Sequence, residues 1–169
     1  MPNWCNNVLE IKGEEEELNR FKEFAKDGER LLSNTKFIPY PKERQEMIEE
    51  YNNNKTLQEN WNNGDMYWFN RGGYEWCINN WGTKWNITNI YLDIKKQLLE
   101  YSFDSAWNSI EPVIYEMGKM FPLLTFDLHW EESGVGIQGH LLIEKGCYSR
   151  SFIKECDDDE GWDDDEGDE

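Results

Sequence analysis

Alternating apolar and polar positions open the chain. Cys5, Leu9 and Ile11 occupy one set of a period-2 pattern and Trp4 and Val8 the other, so residues 1–12 predict a strand that Gly13 ends. Four acids, Glu14 to Glu17, then stand where a helix dipole is positive, and Leu18, Phe21, Phe24 and Ala25 follow at helical spacing. Gly28 lies where a glycine stop belongs. Lys36 to Pro39 reads as a short strand entering the core. Pro41 opens a second helix with Met47, Ile48 and Tyr51 facing inward. Asparagine dominates residues 52–64, where regular structure is expected to give out, and Met66 to Phe69 reads as a strand before a turn at Arg71-Gly72-Gly73. Residues 41–73 together look like an insertion in a simpler fold.

The second half is more regular. Residues 89–103 are rich in β-branched and aromatic types, with Leu99, Tyr101 and Phe103 alternating at the end. Asn108 or Ser109 is placed to cap a helix carrying Ile110, Val113, Ile114, Met117 and Phe121, which Pro122 closes. A hairpin follows: Leu124, Phe126, Leu128 and Trp130 share a face with Ile137, Gly139, Leu141 and Ile143 if Gly134-Val135 forms a two-residue turn with glycine first. That register sets Trp130 opposite Gly139 and His129 opposite His140. Without the insertion the order is strand, helix, strand, then strand, helix, strand, strand. This predicts an α+β, ferredoxin-like sandwich, an antiparallel sheet with helices on one face.

Charge divides the chain. Of its net −18, eleven acids lie in residues 155–169, which hold no Lys or Arg, so residues 1–154 carry −7. We therefore expect one domain over 1–154 and an acidic, low-complexity, disordered tail over 155–169. Such a balance disfavours direct binding to nucleic acid or an anionic membrane and favours a basic protein partner. No apolar run approaches membrane-spanning length, no leader pattern opens the chain, and the four cysteines form no CxxC pair, which fits reduced thiols in a cytoplasm.

Tryptophans concentrate the candidate chemistry. Trp76, Trp81 and Trp85 fall within ten residues, and Trp107 follows in Phe-Asp-Ser-Ala-Trp. As a recognition loop, Trp81, Trp85 and Trp107 would offer stacking faces, Asn80 and Thr83 hydrogen bonds, Lys84 a cation, and Gly82 a tight turn. As core, the rings would fill the interior and Lys84 would pair with Asp104. His129 facing His140, with Glu131 and Gln138 nearby, is half a metal site, and ordinary surface polarity is the simpler account; no metal and no cofactor is assigned. The chain has no phosphate-cradling GxxxxGK[ST] loop and no GxSxG elbow, and we expect no enzyme. The tail carboxylates Asp157, Asp158, Asp159, Asp163, Asp164 and Asp165 either mimic phosphates toward a basic groove or solubilise the chain.

Four segments carry a resemblance. Met1-Pro2-Asn3-Trp4-Cys5-Asn6-Asn7, Phe37-Ile38-Pro39-Tyr40-Pro41, Asn80-Trp81-Gly82-Thr83-Lys84-Trp85 and Phe103-Asp104-Ser105-Ala106-Trp107 occur in the order of the YubB-type ferredoxin-like domain of phage and plasmid proteins, which residues 1–146 resemble. The chain departs from that pattern at Asn108-Ser109-Ile110-Glu111-Pro112, where a small residue and paired prolines are usual, and in its acidic tail. The resemblance implies a ferredoxin-like fold on a mobile element and brings no established activity. With the acidic balance it leads to the expectation of a non-enzymatic inhibitor in the host cytoplasm. Its partner would be a basic, nucleic-acid-binding host or competitor protein, such as a defence nuclease complex. The alternative is a module that captures a nucleotide signal between the tryptophans.

Overall fold

The computed structural model describes residues 3–155. Strand β1 (Trp4–Lys12) leads into helix α1 (Glu15–Ala25). A long helical excursion follows: a 3₁₀ turn (Asn34–Lys36), α2 (Lys42–Asn53), α3 (Lys55–Asn60), α4 (Gly64–Trp68), a kinked turn (Phe69–Gly73) and α5 (Tyr74–Trp81). The chain then forms β2 (Thr88–Lys95), β3 (Leu98–Ala106), α6 (Glu111–Met120), β4 (Thr125–Glu132), β5 (Ile137–Glu144) and β6 (Cys147–Glu155). All pairings are antiparallel and the sheet order is β2-β3-β1-β4-β5-β6. The first four of these strands, with α1 and α6, make the ferredoxin-like unit, so the expected α+β class holds. β5 and β6 extend the sheet.

Burial follows the predicted alternation. Cys5, Leu9 and Ile11 of β1 are sealed, as are Tyr101 and Phe103 of β3, Phe126 and Leu128 of β4, and Leu141 and Ile143 of β5. Helix α6 buries Val113, Ile114 and Met117, flanked by buried Ile110 and Phe121. The centre of the core is aromatic: the Phe21 ring meets Phe37, Tyr101, Phe121 and Phe126 at centroid distances of 5.7, 6.3, 5.1 and 5.6 Å. Phe21, Tyr101 and Phe126 belong to α1, β3 and β4, and Phe37 and Phe121 directly follow the 3₁₀ turn and α6, so ring packing fastens α1 to the sheet.

The hairpin register is the one the alternation predicts, Trp130 opposite Gly139 and His129 opposite His140. Gly139 has no side chain because the Trp130 ring lies across it; a Cβ there would sit 2.4 Å from that ring. The turn chemistry differs from expectation. Gly134 does not have the positive φ that a glycine-first turn requires; Gly136 has it, at 74°. The loop is held instead by Glu132, a buried carboxylate that accepts the Gly134 and Val135 amides at 2.9 and 2.8 Å.

Several local expectations fail for identifiable reasons. Residues 36–39 form no strand; Phe37 closes a 3₁₀ turn, its amide bonded to the Asn34 carbonyl, and is buried against α1. Gly28 does not end α1, which stops at Ala25; it sits with φ 59° in the turn joined by the Asp27–Arg30 bridge. Residues 52–64 are mostly helical, broken at Asn54 and over 61–63, because Asn54 and Asn63 are caps: Asn54 Oδ1 accepts the Thr56 and Leu57 amides, and Asn63 Oδ1 the Met66 amide. Residues 66–68 end α4 and Phe69 opens the kinked turn rather than forming a strand, a short apolar run being ambiguous in period. Neither Asn108 nor Ser109 caps α6; Ile110 holds that position without a side-chain bond, and Pro112 pre-sets the first turn. Residues 89–103 split into β2 and β3 around Lys96-Gln97, where Gln97 adopts φ 58°. β6 goes unpredicted; its turn, Lys145-Gly146, has positive φ at both positions as a type I′ hairpin needs.

Candidate functional site

The Asn-Trp-Gly-Thr-Lys-Trp segment leaves the end of α5 and meets the end of β3. Trp81 is fully buried, and its Nε1 donates to the Ile38 carbonyl at 2.9 Å. Its ring packs on Tyr40 and Trp76, with centroids 4.8 and 5.4 Å away. Gly82 takes the left-handed C-cap position, φ 79°, and the Ser109 carbonyl lies 2.7 Å from where its Cβ would stand. Thr83 is buried and bonds twice to one residue: Oγ1 donates to the Ala106 carbonyl at 3.0 Å and accepts the Ala106 amide at 2.9 Å. Asn80 Nδ2 donates back to the Trp76 carbonyl at 2.8 Å.

Those bonds make the segment a joint between α5 and β3. Trp81 has no free face, so Trp81, Trp85 and Trp107 do not combine into one stacking pocket. The Lys84–Asp104 pair of the alternative core reading does not form either: Lys84 Nζ lies 4.7 Å from the Tyr74 ring centroid and 5.8 Å from that of Trp85. Asp104 accepts from Asn89 Nδ2 at 2.7 Å. What remains outward is Trp107, held at φ 74° and 46% exposed, together with Trp4, whose ring meets Trp85 edge-on at 6.2 Å. Beside the joint, Ile78, Pro112, Trp130, Ile137 and Ile153 line a groove of about 360 Å³ that Ser109 also borders. Ser109 Oγ has no hydrogen-bond partner.

The second candidate surface is the sheet face opposite the helices. Register sets its residues in rows across the strands. One row runs Asp93, Glu100, Glu10, Asp127, Leu142 and Arg150. The next runs Tyr91, Ser102, Val8, His129, His140 and Phe152, and a third contains Asp104, Asn6, Glu131, Gln138 and Lys154. In the first row Lys12 bridges Glu10 and Asp127, and Lys95 bridges Asp93 and Glu100. Two lysines thus serve four carboxylates. The middle row is apolar and exposed at Tyr91, Val8 and Phe152. A depression of about 250 Å³ opens there beside Asn6, Val8, His129, Gln138 and Phe152.

The two histidines stack across the hairpin, ring centroids 4.3 Å apart and planes 20° off parallel. Both turn Nε2 toward the same atom, Asp127 Oδ1, at 3.2 Å for His129 and 2.7 Å for His140. His140 is buried while His129 is exposed. Sequence reasoning placed Glu131 and Gln138 beside the pair and missed Asp127. The signal was present: Asp127 lies two residues before His129 and so shares its face of the strand. The tail carboxylates Asp157, Asp158, Asp159, Asp163, Asp164 and Asp165 lie outside the described residues.

An antiparallel sheet of this order, with α1 and α6 on one side and the other side open, defines a ferredoxin-like protein. The sequence agrees: residues 80–167 match the family described as the ferredoxin-like domain in Api92-like protein. That is more than half of the chain, and the chain belongs to this family. Among solved structures, the crystal structure of protein api92 from Yersinia pseudotuberculosis is similar, with a TM-score of 0.60 over 92% of this chain and 99% of that one. At 13% identity the likeness is one of fold. Comparison with curated proteins gives no significant match.

Proposed function

We propose that the chain is a non-enzymatic binding protein that seats a basic, nucleic-acid-binding protein on the open face of its sheet. The observation that supports this reading is the carboxylate row Asp93, Glu100, Glu10 and Asp127, with Asp104 and Glu131 in a further row and the exposed apolar strip of Tyr91, Val8 and Phe152 between them. Negative rows draw in a positive surface and orient it, while the strip supplies desolvated contact. The acids of residues 155–169 add charge of the same sign. In a phage or plasmid protein of the YubB type, the partner would be a host defence component in the cytoplasm, such as a nuclease complex. Occupying its nucleic-acid groove would block it.

The test is capture from host lysate on the immobilised chain, followed by nucleic-acid binding assays on what is captured. The expected outcome is a basic protein that elutes with salt and loses nucleic-acid binding in the presence of the chain. The double variant Asp93→Lys/Glu131→Lys should lose the capture. Deleting residues 155–169 asks separately how much of the affinity belongs to the tail. Capture of no basic protein, or capture unchanged by the double variant, overturns the reading.

A further inference from the structure

We propose that Asp127, His129 and His140 form a binding site for a divalent transition-metal ion, with zinc as the best-fitting member of the class. The inference stands on convergence and is independent of the partner reading above. Three ligating side chains place one donor atom each within 4.8 Å of one another. All three come from the paired strands β4 and β5, so the hairpin register fixes their spacing before any ion arrives. Ligands of a tetrahedral zinc stand about 3.3 Å apart, given metal–ligand lengths near 2.0–2.2 Å. His129 Nε2 and Asp127 Oδ1, at 3.2 Å, already have that spacing, and His140 Nε2, at 2.7 Å, needs an outward shift of a few tenths of an ångström. The two imidazoles stack 20° off parallel, so the exposed His129 ring must also turn to aim its lone pair at a shared ion.

Donor chemistry selects the class. Two imidazole nitrogens and one carboxylate oxygen suit zinc, nickel, copper or iron, whereas magnesium and calcium prefer all-oxygen sets. The surroundings favour a cation. Glu10 lies directly across from Asp127, and Glu131 follows His129 on the same face. Lys12 approaches Asp127 through the other oxygen, Oδ2, at 3.8 Å, and leaves Oδ1 to the histidines. Entry is direct, because His129 is 61% exposed and borders the depression between Val8 and Phe152. Three protein ligands leave a fourth position for water or for a donor from a bound partner.

The experiment uses the full chain and the ion alone. The protein contains two histidines in all, so its imidazole proton resonances belong to these two residues. Zinc chloride should shift both sets together and saturate at one equivalent, and magnesium chloride at the same concentration should leave them in place. Calorimetric zinc titration of His129→Ala, an exposed position whose replacement spares the core, should show binding weakened by at least about tenfold. Loss of a group that merely orients a ligand already costs roughly 10- to 100-fold. Zinc affinity unchanged in His129→Ala would assign the ion to other ligands in the chain, carboxylates or the exposed Cys147, and overturn the site. So would histidine resonances that ignore zinc, or that respond equally to magnesium.

Discussion

Thr83 joins α5 to β3 through a single side-chain oxygen that donates to the Ala106 carbonyl and accepts the Ala106 amide. The pairing gives a sequence-distant contact the geometry of a strand pair, inside a region closed to water. Thr83→Val preserves the shape and removes both bonds, leaving a buried amide and carbonyl without partners, each of which costs about 1–3 kcal/mol. Urea unfolding of that variant should therefore show a loss of about 2–4 kcal/mol with little change in slope. Gly82, next to it, is fixed on two grounds: its positive φ and the Ser109 carbonyl 2.7 Å from its missing Cβ. Residues that read as a recognition loop are thus largely occupied in holding the fold. Trp107, Trp4 and Lys84 are what that segment and its neighbours leave at the surface.

The elements between Ala25 and Thr88 show how asparagine can mislead a reading by composition. A run of Asn residues looks like broken structure, yet an Asn side chain that accepts amides at the first turn starts a helix as well as it ends one. Asn54 and Asn63 do this for α3 and α4. Replacing either by Ala should cost about 1 kcal/mol, read as a lower urea midpoint. Faster amide exchange should appear across α2 to α4, while the sheet stays protected. The strands were legible where alternation was strict, as in β1, β4 and β5. They were illegible where hairpin turns lacked the usual glycine signature, as at Lys96-Gln97, and where β6 presents an exposed, uniformly polar-and-apolar ribbon.

At the scale of the whole molecule, burial decides which thiols react. Desolvation pushes the Cys5 thiol up to about 12, with the charges of Glu132 and Asp104 adding to it and hydrogen bonds from Ser105 and Asn7 opposing. Desolvation likewise lifts Cys77 to about 12. Cys147 is exposed. Alkylation at pH 8 followed by peptide mapping should label Cys147 and leave Cys5 and Cys77 intact until denaturant is added. The same shifts set a pH dependence. Buried groups whose neutral form the fold favours lend full stability below their unfolded values, 9.0 for the thiols and 10.0 for Tyr40, which burial also raises to about 12. As pH climbs above about 9 the unfolded chain ionises first, so stability should fall steadily toward pH 12. Urea midpoints measured across that window check the slope.

Period is a local property, and it specified the buried faces of β1, β4, β5 and α6 and the register that sets His129 against His140. The ferredoxin-like class held although residues 36–39, counted as a strand, form none beside their 3₁₀ turn, and residues 89–103, counted as one strand, belong to two. Tertiary structure decided what those faces meet. It turned Trp81 inward and paired Thr83 with Ala106. It also brought Glu100, Glu10 and Asp127 into one row from three strands far apart in the chain. Spacing along the sequence can say that Asp127 and His129 share a side. The hairpin register adds His140 across from His129, and only the folded sheet turns both imidazoles to the one oxygen, Asp127 Oδ1, because a donor atom's position depends on the packing around its side chain and not on spacing alone.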